Sequence, residues 1–169
     1  TEDKNVYMWV FDFFLQKLNR INISKKRNVS PDTIDERFIE IPIKLGRVTD
    51  LLIVDNKLIG KSSTKKGRLF FYNLNTKKIN RIDLFPKIRY KIPNNQIHNL
   101  YSSNLAVKPD GSKIVSALRH FNQIDIFNIR GKHERTVSFN NTEKKQDINF
   151  FKDRTNPIPN TLKHYYFDI

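Results

Sequence analysis

The sequence predicts an all-β fold built from repeated four-stranded antiparallel units, the arrangement of a β-propeller. Three observations carry this. Short apolar runs bounded by turn residues recur along the chain. One hairpin sequence appears again 61 residues later without a gap. The composition, with 13 Phe and frequent Ile, favours strands over helices.

One unit is legible between 104 and 139. Leu105-Ala106-Val107 leads into a Pro109-Asp110-Gly111 turn and then Ile114 to Leu118. Arg119-His120-Phe121 links to Ile124–Ile129, a turn at Gly131, and Thr136-Val137-Ser138-Phe139. These runs are too short for helices and rich in branched and aromatic side chains, so they read as strands. Several are apolar on both faces, as expected of a sheet held between two others.

The repeat sets Phe11 to Ile23 on Tyr72 to Leu84. Lys17/Lys78, Asn19/Asn80, Arg20/Arg81 and Ile21/Ile82 are identical. Phe127 to Phe139 fits the same frame, with Asn128 under Asn73 and Val137 under Ile82. Each copy reads as strand, polar turn, strand, which is an antiparallel hairpin. Val10 to Asn19 has Phe11, Phe14, Leu15 and Leu18 at helical spacing, but Asn73, Asn75 and Thr76 in its aligned copy make a turn. A preceding hairpin repeats too: Leu51 to Val54, a turn at Asp55-Asn56-Lys57, and Leu58 to Lys61 match Leu105 to Ala117. Gly111 and Asn56 are the residues expected in the left-handed region.

The connections 24–36, 87–99 and 140–163 are polar and hold Pro31, Pro93, Pro157 and Pro159. Phe38 to Ile41 reads as a strand inside the first of them, and Tyr165 to Ile169 as a strand at the end of the chain. The expected organisation is one domain over 1–169: a blade remnant at 6–24, blades at 47–86 and 100–140, and the start of another at 163–169. Two full units and two partial ones do not close a ring of 4 to 8 blades. The expectation is a partial or truncated propeller, or an oligomer whose ring closes between chains.

At this point the residues carry a resemblance. The run from Leu100 to Ile114, followed by Phe121 to Phe127, resembles TolB-like six-bladed propeller proteins of Bacteroides-type bacteria. The resemblance covers about a quarter of the chain. It implies a protein of the bacterial envelope, periplasmic or on the outer membrane and cell surface. Many of these proteins are lipoproteins; the lipoprotein cysteine is absent here, and the sequence has no cysteine at all.

Composition limits the functions. Without cysteine there are no disulfides and no thiolate metal sites. No apolar run approaches the roughly 20 residues of a membrane-spanning helix. The formal net charge is +14, but the basic residues are spread along the chain, with short clusters at 25–27, 65–66 and 144–145. Spread charge reads as solvated surface, so nucleic-acid or other polyanion binding stands only as an alternative.

No Gly-rich phosphate loop, metalloprotease motif or nucleophile elbow is present, and no metal or cofactor is implied. His98, His120, His133 and His164 lack metal-ligand spacing. Asp32, Asp35 and Glu36 beside Ser30-Pro31 read as an exposed turn. Strand assignment from the repeat puts 61–68 and 119–122 in equivalent loops, with Tyr101 near the same end. Lys65, Lys66, Arg68, Arg119 and His120 would form with Tyr101 a basic rim for phosphate, sulfate or carboxylate. Lys77, Lys78, Lys132 and His133 make the opposite turns basic as well. Phe70, Phe71, Tyr72 and Phe127 read as packing between blades. The expected function is a non-enzymatic binding or scaffold propeller with a protein or glycan partner. The alternative enzyme would act on an anionic saccharide through His120, Arg119 and Tyr101.

Overall fold

The computed structural model describes residues 6–24, 38–64, 66–88 and 92–138. Eleven strands form among them. The first sheet holds β1 (Tyr7–Asp12), β2 (Lys17–Asn22) and β3 (Phe38–Glu40), in that order. After a single 3₁₀ turn at Ile43–Leu45 come β4 (Val48–Val54), β5 (Lys57–Ser62), β6 (Leu69–Asn73) and β7 (Ile79–Ile82). They pair in sequence order as the second sheet. A short helix, α1 (Asn94–Leu100), precedes β8 (Ser103–Val107), β9 (Lys113–Leu118), β10 (Gln123–Asn128) and β11 (His133–Ser138), which form the third sheet. All the pairings are antiparallel. The two four-stranded units are those read from the sequence. The expected strand at Tyr165 to Ile169, the linker 140–163 and the Asp32 turn lie outside the described residues.

The turn chemistry repeats in three dimensions. Asp12 Oδ1 accepts from the Phe14 and Leu15 amides, both at 2.9 Å. Asn73 Oδ1 accepts from Asn75 and Thr76 at 2.9 and 2.8 Å. Asn128 Oδ1 accepts from Arg130 and Lys132 at 2.9 and 3.0 Å. One carboxylate or amide oxygen thus replaces the missing ladder partner of two amides at the same point of each copy. Gln16 and Lys77, aligned in the repeat, both take positive φ, 52° and 58°. The third turn is one residue shorter and uses Gly131 at φ 82°. A bulge restores the frame: the register shifts between Ile126 and Phe127, so that Ile124 pairs with Val137 as Leu69 pairs with Ile82.

Three expectations are corrected. In the β4–β5 turn the left-handed residue is Asp55, at φ 51°, and not Asn56. The two-residue loop puts positive φ at its first central position, which a short polar side chain tolerates. Part of the 87–99 linker is helical, because Ile97 and Leu100 pack with Ile92, Tyr101 and Leu118 in a small cluster that outweighs weak local propensity. The first hairpin, although locally equivalent to β6–β7, occupies a different place in its sheet. β3 pairs outside β2, through Leu18 opposite Ile39. Trp9, Phe11 and Leu18 face the second sheet, whereas their aligned residues Phe70, Tyr72 and Ile79 face the first.

Two apolar layers hold the stack. Between the first and second sheets lie Leu18, Leu45, Val48, Leu58, Phe70 and Tyr72. Between the second and third lie Val54, Ile59, Leu69, Phe71, Ile114 and Phe127. Leu69 to Tyr72 are buried on both faces, as a central sheet requires. The predicted packing role of Phe70, Phe71, Tyr72 and Phe127 is therefore observed. Gly60 is needed where β4 and β5 meet, since a Cβ there would sit 2.3 Å from the Asp50 carbonyl oxygen. The first strands of the second and third sheets, β4 and β8, lie against each other.

Candidate functional site

The starts of β4 and β8, the end of β5, the loop before β6 and the end of α1 converge at one end of this stack. They enclose a cleft of about 70 Å³ lined by Thr49, Lys61, Arg68, His98, Tyr101 and Ser102, among others. That volume is far below the roughly 300 to 1,000 Å³ of a pocket for a drug-sized ligand. It suits one functional group of a larger molecule.

Lys61, the penultimate residue of β5, reaches across to the third sheet. Its ammonium donates to the Ser103 carbonyl and pairs with Asp50 Oδ2 at 3.0 Å. Burial pushes its pKa below the ordinary 10.5; Asp50 pulls it back up, and the charges of Arg119 and Arg68 depress it further. Arg119 donates from Nε to Asn104 Oδ1 at 2.9 Å.

Arg68 is only 4 % exposed, and its guanidinium turns into the stack. Nη2 pairs with Asp125 Oδ2 at 2.6 Å, and Nη1 donates to the Leu84 carbonyl at 2.8 Å. Nη2 also reaches Ser116 Oγ at 3.3 Å. Nε is buried without a hydrogen-bond partner. Asp125 is fully buried and also accepts from Gln123 Nε2 at 2.9 Å and Thr136 Oγ1 at 2.6 Å. Arg68 therefore ties the second sheet to the third, with its charge shared between Asp125 and the wall of the cleft.

Tyr101 lies between Phe121, stacked at 5.3 Å, and Phe85, tilted at 4.7 Å. Its hydroxyl donates to the Pro86 carbonyl at 3.2 Å, and burial pushes its pKa up. His98, at the end of α1, is pushed below the usual imidazole value by burial, which keeps it neutral at pH 7.

The predicted rim is thus divided. Arg68 and Tyr101 line the cleft, and Arg119 stands close enough to Lys61 to act on its charge. His120 follows Arg119 and is buried at 5 % exposure. Lys66 is exposed on the loop, and its carbonyl accepts from Arg81 Nη1 at 3.3 Å. Lys65 lies outside the described residues. Lys61, Asp50, Asp125 and Ser102 complete the site and were not singled out from the sequence. Asp125 did leave a signal: it is a carboxylate in an apolar strand, on the same side as Phe127. Among the described residues no group of His, Asp and Glu is placed to hold a metal ion, and no helix is long and apolar enough to cross a membrane.

No family model and no curated protein matches the sequence. Among solved structures, the chain is similar to a member of the DUF4221 family from Bacteroides vulgatus. The TM-score is 0.54 and the identity 16 %, over 82 % of this chain and 42 % of that one. It is less similar to apo AztD from Citrobacter koseri, with a TM-score of 0.44 and 13 % identity over 82 % of this chain and 33 % of that one. The extracellular domain of a one-component system from B. thetaiotaomicron gives a TM-score of 0.47 and 14 % identity, over 83 % of this chain and 18 % of that one. The first likeness shows a shared arrangement of antiparallel sheets. The chain spans less than half the length of that Bacteroides protein.

Proposed function

We propose that the three sheets are consecutive blades of a TolB-like six-bladed β-propeller, and that the protein is a non-enzymatic binding or scaffold module of the bacterial envelope. A protein or glycan partner is received at the end of the stack where the cleft opens. The observation that carries this is the placement of the cleft. β4 and β8, each an edge strand of its sheet, lie together, and the cleft forms at their starts, where segments of two units converge. The groups there are held in fixed bonds: Lys61 by Asp50 and Ser103, Tyr101 by Pro86 and two aromatic rings. Pre-oriented donors of this kind suit recognition. Because a fold hosts many roles, the binding role is read from the site, while the six-bladed propeller and the envelope rest on the sequence resemblance.

The test is to incubate the full chain with acidic and neutral glycans and with envelope protein extracts, following both binding and product formation. The expected result is saturable binding without turnover, weakened by Arg119→Ala and Tyr101→Ala in variants with unchanged circular dichroism. Turnover of an acidic saccharide that disappears in His120→Ala would replace this reading with the enzymatic one. Binding to DNA that falls steeply with salt, and exceeds binding to other polyanions, would replace it with nucleic-acid recognition.

A further inference from the structure

We infer that the cleft between the second and third sheets is an oxyanion site, anchored by Lys61 and completed by Arg119 and the hydroxyls of Thr49 and Ser102. It rests on the binding reading in taking the same cleft and names the chemical group that the cleft holds. The ligand group is a carboxylate or a phosphate on a larger molecule.

The charge balance points to an anion. Lys61 is paired with Asp50 at 3.0 Å and Arg68 with Asp125 at 2.6 Å. Arg119 donates its backbone amide to the Ser102 carbonyl of the cleft wall at 2.9 Å. Its side chain goes to the Asn104 amide oxygen and, among the described residues, to no carboxylate. Arg119 thus brings a positive charge with no paired carboxylate to the edge of a partly desolvated site, where an added anion interacts more strongly than in water. The balance of hydrogen-bond groups points the same way. Arg68, a residue of the cleft wall, keeps a buried donor, Nε, without an acceptor. Thr49, Ser62 and Ser102 add hydroxyls to the walls. The Tyr101 hydroxyl and the Lys61 ammonium spend hydrogens on the Pro86 and Ser103 carbonyls, and the ammonium has a further hydrogen to give. Size then selects the group. A volume of about 70 Å³ is far below that of a pocket for a whole ligand, so it admits one oxyanion and leaves the rest of its molecule outside.

The test is a thermal-shift and titration series on the full chain at constant ionic strength. It compares sodium phosphate, sodium acetate and sodium glucuronate with sodium chloride. The expected result is a saturable rise of the unfolding midpoint with at least one oxyanion. Phosphate alone identifies a phosphate site, acetate and glucuronate alone a carboxylate site, and all three a site for the shared group. Lys61→Met should weaken the apparent affinity more than about tenfold, as expected for loss of a charge-assisted hydrogen bond. Lys132→Met, on the exposed turn at the opposite end, should leave it unchanged. Should Lys61→Met fail to fold, Arg119→Gln together with amide shift perturbations confined to 49, 61–68 and 98–103 decides the matter. No saturable shift with any oxyanion overturns the inference, as does a shift that both variants retain. If glycan or protein binding persists in either case, the binding reading stands and only the oxyanion site falls.

Discussion

The two interfaces of the stack are built differently. The first and second sheets meet through an apolar layer centred on Leu18, Leu45, Leu58, Phe70 and Tyr72. A polar contact beside it is neutral: the Gln16 side-chain amide bonds the Val48 N–H and carbonyl at 2.8 and 3.0 Å. The second and third sheets share a similar apolar layer, but a buried ion pair crosses it, Arg68 to Asp125 at 2.6 Å. In the repeat, Asp125 occupies the position held by Phe70 in the second sheet and Trp9 in the first. An apolar contact accepts small rotations at little cost, because its attraction is non-directional. An ion pair with four further polar partners accepts very few, because each loses energy when misaligned. The cleft is walled by residues from the second and third sheets. The tied interface is therefore the one whose geometry a binding site needs. Among the described residues, the first sheet and its β1–β2 turn carry most of the exposed large apolar side chains, including Met8, Val10, Phe14, Leu15 and Phe38, and only Val107 lies beyond residue 43.

The sharpest way to break this contrast is Asp125→Ala. It leaves the Arg68 charge buried and unpaired, and stability should fall by about 3–5 kcal/mol in urea denaturation. Replacing both partners, as Arg68→Met with Asp125→Leu, should recover most of the loss while weakening ligand binding at the cleft. If the single change costs under about 1 kcal/mol, the tie is not what orders the interface. Next comes Leu58→Ala in the apolar interface, expected to cost about 3 kcal/mol. Native-state hydrogen exchange should show the loss in β1 and β2, with β9 and β10 still protected. Equal loss everywhere would mean that the three sheets unfold as one unit.

Smaller effects sharpen the picture. Asp12→Ala, Asn73→Ala and Asn128→Ala each remove the acceptor for two turn amides and should cost about 1 kcal/mol apiece. Comparable losses would show that the three hairpins are held by one device. The smallest effect is in pH. The folded pKa of Lys61 lies below 10.5, so between that value and 10.5 the unfolded chain binds more protons. Stability from this residue should therefore rise as pH rises through that window. Lys61→Met should flatten that part of the stability–pH curve, and an unchanged slope would mean that Lys61 is not desolvated.

The hairpins were legible in the sequence because the interactions that make them are local. Branched and aromatic residues at short spacing define the strands, and Asp12, Asn73 and Asn128 supply their turns within four residues. Arg68 looked like a rim cation for the opposite reason. Its partner Asp125 is 57 positions away and meets it only when the second and third sheets stack. The aligned copies offered no hint, since they hold Phe70 and Trp9. Lys61 belongs to the same class, its contacts being made across the start of β8.

By itself the sequence determined the strands, their turn chemistry and the repeat of two four-stranded sheets, because propensity and side-chain-to-backbone bonds act over a few residues. Tertiary structure alone decided three things: the place of the first hairpin inside β3, the helical turn at α1, and the gathering of Lys61, Arg68 and Tyr101 around one cleft. Each depends on which faces bury each other, and that is settled by packing between segments far apart in the chain.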